Sequence, residues 1–211
     1  MLHICLNCGV YHADQIIDPA GPYAICPECR HKRPFQWLPL LIVSGASGTG
    51  KSTVCQALTG KLVEVVPLDS DILWNPAFNT PESGYRNYFE TWLRVCMNIS
   101  QAGRPVVLFG AGVGVPDNIE VCVGRRYFPA VHYLALTCEE DILVERLSNR
   151  PAWRHSSDPA NLREQIQFNQ WFKTNGNITV PPIDLLDTTA ASPQETLQQA
   201  IAWIGKLIRR P

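Results

Sequence analysis

The sequence predicts an α/β fold, a three-layer sandwich with a five-stranded parallel sheet, plus a small cysteine-bound ribbon at its N-terminus. Three observations predict it. From Leu40 onward, short apolar runs alternate with longer segments of helical period, the pattern of strands joined by crossover helices. The first run leads directly into the glycine-rich octapeptide GASGTGKS, Gly45 to Ser52. Before that, periodicity is absent and two Cys-x-x-Cys pairs take its place.

The N-terminal module spans residues 1–36. Cys5, Cys8, Cys26 and Cys29 form two Cys-x-x-Cys pairs separated by seventeen residues. That spacing presents four thiolates to one Zn²⁺, which folds a segment too small to build its own core. The module resembles a zinc ribbon. The alternative is free surface thiols or a redox pair, and His3, His12 or His31 is available to replace one ligand. A site closed by four thiolates leaves no position for water, so its expected role is structural. The other four of the eight cysteines, Cys55, Cys96, Cys122 and Cys138, lie in apolar or helical surroundings and read as small core residues.

The join is expected in KRPFQWLP, Lys32 to Pro39, and the main domain covers 40–211. Its strands are expected at Leu40–Ser44, Val63–Leu68, Pro105–Phe109, Val131–Thr137 and Ile183–Leu186. Helices are expected at Lys51–Gly60, Tyr85–Ala102, Glu139–Asn149, Asn161–Thr174 and Pro193–Arg209. Ser192 followed by Pro193 and Glu195 marks a helix start, and Gly103 with Pro105 marks a stop.

The octapeptide fits the Walker A pattern in its required place, after a buried strand and before a helix, which makes the main domain a P-loop sandwich. Glycines let backbone N–H groups turn inward around a phosphate at a helix N-terminus, whose dipole also favours anions. The nucleotide-binding set is Gly45, Ser47, Gly48, Thr49, Gly50, Lys51, Ser52 and Thr53. Lys51 is expected to reach the β- and γ-phosphates, and Ser52 to ligate Mg²⁺. ATP and Mg²⁺ are therefore expected beside Zn²⁺.

Two further groups separate a kinase from a switch or motor. Asp69 and Asp71 flank Ser70 at the end of the second strand, where ligands collect in open α/β sheets. One carboxylate orients or deprotonates an acceptor hydroxyl and another holds hydrated Mg²⁺. The alternative is a solvated turn or helix cap. Arg146, Arg150 and Arg154 recur every four residues in ERLSNRPAWRH, with Pro151 expected to end the helix between them. Guanidinium groups on a closing loop neutralise a migrating phosphoryl group, whereas solvated surface arginines are the alternative.

On GASGTGKS, on DSD after the second strand, on LFGAGV (Leu108 to Val113) after the third, and on this arginine lid, the chain resembles the small P-loop kinases of the nucleoside monophosphate, shikimate and gluconate kinase superfamily. The resemblance covers about residues 40–208. It implies Asp69 near Mg²⁺, Asp71 as acceptor-orienting group or base, and Gly110 and Gly112 as close-approach backbone of the acceptor pocket. It also implies that DTTAAS, Asp187 to Ser192, borders the adenine. The chain lacks the adenylate kinase signature after the third strand, and its lid carries Trp153, Ser156, Ser157 and Asp158 in place of a stricter pattern, which leaves the acceptor open. The segment SSDPANLREQIQFNQWF is similar to P-loop kinases that include some acting on nucleic-acid 5′ hydroxyls.

The acceptor region, Trp74 to Ala102, holds Trp74, Phe78, Tyr85, Tyr88, Phe89 and Trp92 but only Arg86 and Arg94 as cations. Aromatic faces suit a nucleobase, so a nucleoside or nucleotide acceptor is expected, although the same spacing also describes the buried stripe of a helix. A formal net charge of −1 opposes capture of nucleic acid by bulk electrostatics. Arg30, Lys32 and Arg33 in the ribbon form a basic cluster that keeps a nucleic-acid partner open, either for a polynucleotide 5′-hydroxyl kinase or for a non-catalytic nucleotide-sensing module. With no long apolar span and no signal-peptide pattern, a cytoplasmic protein is expected, without a membrane partner.

Overall fold

The computed structural model describes residues 2–78 and 80–208. In the ribbon, β1 (Ile16–Asp18), β2 (Tyr23–Ile25) and β3 (Lys32–Pro34) form an antiparallel sheet in that order. The first three residues of the expected join therefore belong to the ribbon as β3, paired with β2.

The second sheet is parallel, with the order β5 (Val66–Asp69), β6 (Val106–Phe109), β4 (Leu40–Gly45), β7 (Val131–Thr137), β8 (Ile183–Asp187). β4 lies in the middle, and Leu40, Leu41, Ile42 and Val43 have no exposed surface. Each such side chain contributes roughly 1.5–3 kcal/mol by leaving water. Both faces are covered, so the strand reads as an unbroken apolar run. Leu40 and Ile42 join the core under α2 (Arg86–Ser100), α3 (Pro116–Glu120) and α5 (Pro159–Asn175). Leu41 and Val43 join the core under α1 (Lys51–Leu58) and α6 (Pro193–Ile208). The remaining helix, α4 (Glu140–Ser148), closes a smaller cluster with α5 beneath the glycine loop.

Differences from expectation lie at element ends. The second strand is shorter than Val63–Leu68, because Leu62 to Val65 makes a turn and Val63 is exposed; its Pro67 is tolerated because β5 is an edge strand. The fifth helix starts at Pro159, the first-turn position that suits proline, two residues before the expected Asn161. The short α3, also opened by a proline, was not expected. At α6, Ser192 Oγ accepts the Glu195 N–H at 3.2 Å while Glu195 Oε2 accepts the Ser192 N–H at 2.8 Å, a reciprocal cap. Arg209, the expected end of that helix, lies outside the described residues. No helix among the described residues is long and apolar enough to cross a membrane.

The ribbon packs onto the end of the sheet where β4 begins. Leu2, Ala24 and Phe35 belong to the same core as α2 and β4. Tyr127 donates its hydroxyl to the Ala13 carbonyl at 2.7 Å and accepts the Gln15 N–H at 3.1 Å, and the His3 ring meets Tyr127 edge-on. The glycine loop is at the opposite end of β4, about 17–20 Å away along the strand.

Candidate active site

The loop leaves β4 at Gly45, whose φ of 139° is closed to ordinary side chains, and a Cβ there would overlap the Leu136 carbonyl oxygen. Gly50, at φ 105°, is the N-cap of α1; no side chain caps that helix and no acidic residue lies in its first turn. The first amides of α1 thus keep their capacity for an outside anion.

Lys51 folds back over this loop. Its Nζ donates to the Gly45 carbonyl at 2.7 Å and the Ala46 carbonyl at 2.9 Å. Burial lowers its pKa to about 8; Asp71 and Asp69 act in the raising direction and Arg150 in the lowering one. These four expected site residues therefore share one electrostatic field. Ser52 and Thr53 are exposed on the first turn of α1, and the Ser52 hydroxyl has no hydrogen-bond partner among the described residues.

Asp69 ends β5 and caps the 3₁₀ turn Ser70–Leu73, its Oδ1 accepting the Asp71 N–H at 3.0 Å. The other oxygen stays available for a metal or its water. Partial desolvation, then the Asp69 charge, raises the Asp71 pKa above the ordinary carboxylate range, against the pull of Lys51. An exposed hydroxyl on α1 and a partly free carboxylate on β5 fit the hard-oxygen demand of Mg²⁺.

The DSD turn is held from behind by residues whose role the sequence did not reveal. Tyr88 donates to the Ser70 carbonyl at 2.7 Å and Trp92 Nε1 donates to the same oxygen at 3.1 Å. Tyr88, Phe89 and Trp92 are thus the buried stripe of α2, while Trp74, three residues beyond Asp71, is half-exposed, its ring centre 5.5 Å from that of the partly buried Tyr85. Gly110 approaches Ser70 so closely that a Cβ would collide with its hydroxyl; Gly112 has ordinary room.

The three arginines do not share one face. Arg146, in the last turn of α4, donates to Thr188 Oγ1 at 3.1 Å and to the Thr188 carbonyl at 2.7 Å, within the Asp187–Ser192 loop. Arg150 follows the helix and is coupled to Lys51; burial and then Arg154 lower its pKa. Arg154 is exposed and lies 5.2 Å from the centre of the Trp153 ring. Neither Arg150 nor Arg154 makes an ion pair among the described residues.

The parallel strand order β5-β6-β4-β7-β8, a loop cradle after the central strand β4 and an acidic turn after the edge strand β5 together define the architecture. The fold is a P-loop kinase fold. No protein-family model matches the chain, and no curated protein matches its sequence. Solved structures do. A sugar kinase from a Janibacter species superposes with a TM-score of 0.59 at 18% identity, over 80% of this chain and 95% of that one. A gluconokinase from Sinorhizobium meliloti gives 0.55 at 20%, over 82% and 95%. A shikimate kinase from Acinetobacter baumannii, in complex with shikimate, gives 0.50 at 18%, over 82% and 96%.

At the far end of the molecule, the Sγ atoms of Cys5, Cys8, Cys26 and Cys29 lie within 4.8 Å of one another. Zinc–sulfur bonds of about 2.3 Å set tetrahedral sulfurs about 3.8 Å apart, so the cluster fits Zn²⁺. The two halves repeat: Gly9 N–H donates to the Cys5 carbonyl and Arg30 N–H to the Cys26 carbonyl, both residues having positive φ.

Proposed function

We propose that this protein is an ATP- and Mg²⁺-dependent kinase that transfers the γ-phosphoryl group to a hydroxyl of a small acceptor, a nucleoside or nucleotide. The observation that carries the reading is the uncapped start of α1 with the Lys51 ammonium folded over the glycine loop, and the Asp69–Asp71 turn at the end of β5 within its electrostatic reach. A buried ammonium held only by neutral carbonyls is matched to an incoming polyanion, and a partly desolvated carboxylate stands beside it.

In this reading the amides from Gly45 to Thr53 and the Lys51 ammonium hold the triphosphate tail. Asp71 orients the acceptor hydroxyl and takes its proton as the acceptor oxygen bonds to the γ-phosphorus and the bond to the β-phosphate oxygen breaks, releasing ADP. Arg150 and Arg154 neutralise the equatorial oxygens from the lid. Ser52 and Asp69 would hold Mg²⁺, which supplies charge neutralisation across the phosphates. Arg146 belongs to the nucleotide side, where it braces the Asp187–Ser192 loop through Thr188.

The acceptor class rests on what flanks Asp71. Trp74 offers a half-exposed ring with the partly buried Tyr85 against it, while Arg86 donates to Cys122 Sγ at 3.4 Å and Arg94 lies within electrostatic reach of His3 in the ribbon. Sugar, gluconate and shikimate appear in the neighbours' names; here aromatic surface with few cations favours a planar acceptor over a bare carboxylate. In the ribbon, Lys32 is paired with Asp18 at 3.3 Å, which reduces the basic cluster offered to nucleic acid. The test is a panel of nucleosides, nucleotides, gluconate, shikimate and 5′-hydroxyl oligonucleotides, read as acceptor-dependent ADP formation. Turnover confined to the carboxylate sugars would overturn the acceptor class.

A further inference from the structure

The P-loop is already engaged by a side chain from far along the sequence. The Ser47 N–H donates to Gln165 Oε1 at 2.7 Å, across 118 residues of chain. Such an amide is one of the donors a phosphate tail would use. Gln165 therefore places a neutral oxygen on the cradle, as the Gly45 and Ala46 carbonyls do on Lys51. The carboxamide nitrogen of Gln165 has no partner among the described residues, so one hydrogen bond ties this side chain.

The placement of Gln165 gives that bond a consequence. It lies on α5, which begins at Pro159 directly after the lid residues Arg150 to Asp158. One turn further on, Asn169 clamps the helix to the end of β7, accepting the Cys138 N–H at 3.2 Å and donating to the Cys138 carbonyl at 2.8 Å. The middle of α5 is thereby fixed, its first half packs Leu162 and Ile166 against Ala46, Leu143 and Leu147, and Gln165 adds the polar contact to the loop among the described residues. Arg150 meanwhile repels both Lys51 and Arg154.

We propose that Gln165 is a nucleotide-displaced latch: its carboxamide oxygen occupies the Ser47 amide until an anionic phosphate oxygen takes that donor. The inference rests on the reading that the loop takes a nucleoside triphosphate. A phosphate oxygen accepts more strongly than an amide oxygen, so the exchange runs towards the nucleotide. Binding must still displace the latch, and removing the latch strengthens binding.

Calorimetric titration of zinc-loaded protein with Mg²⁺ and a non-hydrolysable ATP analogue tests this, with circular dichroism confirming that each variant is folded. Gln165→Ala is expected to bind about two- to tenfold more tightly, the worth of one neutral hydrogen bond. Gln165→Glu is expected to bind about ten- to a hundredfold more weakly, because its carboxylate holds Ser47 and the nearby cations as a charged competitor. Affinity of Gln165→Ala equal to or below wild type overturns the latch and leaves the nucleotide reading standing. Absence of heat in all three proteins overturns the nucleotide reading and the latch with it.

Discussion

Tyr88 and Ser70 are joined by a 2.7 Å hydrogen bond that ties α2 to the turn carrying both candidate carboxylates. The Ser70 side chain is buried, and its carbonyl receives Trp92 as well, so the positions of Asp69 and Asp71 are set from the core side of α2. Tyr88→Phe removes one of two donors without changing the ring. The expected result is a stability loss of about 1 kcal/mol and a several-fold lower kcat with KM for ATP unchanged, measured by denaturant unfolding and steady-state kinetics.

Asp71 is expected to set the acid limb of the pH–rate profile. Its pKa is raised by desolvation and then by Asp69, so the limb should lie above the usual carboxylate range. Asp71→Asn should lower kcat by about 10²–10⁴ while leaving nucleotide affinity nearly intact. An acid limb that persists unchanged in Asp71→Asn would place the titrating group elsewhere.

Lys51 should leave its own mark on stability. Its folded pKa of about 8 lies below the ordinary lysine value of 10.5, so between these pH values the unfolded chain binds more protons than the native one. Nucleotide-free protein is therefore destabilised by the Lys51 charge at pH 7, by about 3 kcal/mol, and regains that stability as pH rises through 8 to 10.5. Lys51→Met should be more stable than wild type at pH 7, with the difference vanishing near pH 10.5, and should lose nucleotide binding. Unfolding of both proteins across that range measures the difference directly.

Zinc removal should destabilise more than the ribbon. Cys5, Cys8, Cys26 and Cys29 cluster at the end of the sheet remote from Lys51, but Leu2, Ala24 and Phe35 share the core of α2. Chelation, or Cys8→Ser, should lower the melting temperature of the whole molecule, with one Zn²⁺ per chain recovered by atomic absorption. The protein still folded after chelation should bind nucleotide with unchanged affinity. A chain that retains its melting temperature without metal would show that the ribbon is held by packing alone.

What the sequence made legible was what local chemistry dictates. β4 and β7 are buried runs with one reading, and GASGTGKS has its glycines where positive φ is required. The aromatic stripe of α2 carried two meanings at once: Tyr88 and Trp92 turn inward to Ser70, and Trp74, outside the helix, faces the surface. The helix carrying Arg146 was expected to stop at Pro151, and α4 ends earlier, at Ser148, so that the chain turns before Arg150. The Ser47–Gln165 bond and the Arg146–Thr188 bond had no local signature, because each joins segments that only the sheet order brings together. The ribbon strands, three residues each, are too short for a period to register.

Whether the glycine loop and Asp71 form one phosphoryl-transfer site is decided by ADP release from zinc-loaded wild type and Asp71→Asn, with Mg²⁺ and ATP, in the presence and absence of each acceptor in the panel. Wild type is expected to release ADP in step with a phosphorylated nucleoside or nucleotide, and Asp71→Asn to lose that release despite retained ATP binding. Equal rates in the two proteins, or ATP bound by wild type with no acceptor phosphorylated, would contradict it.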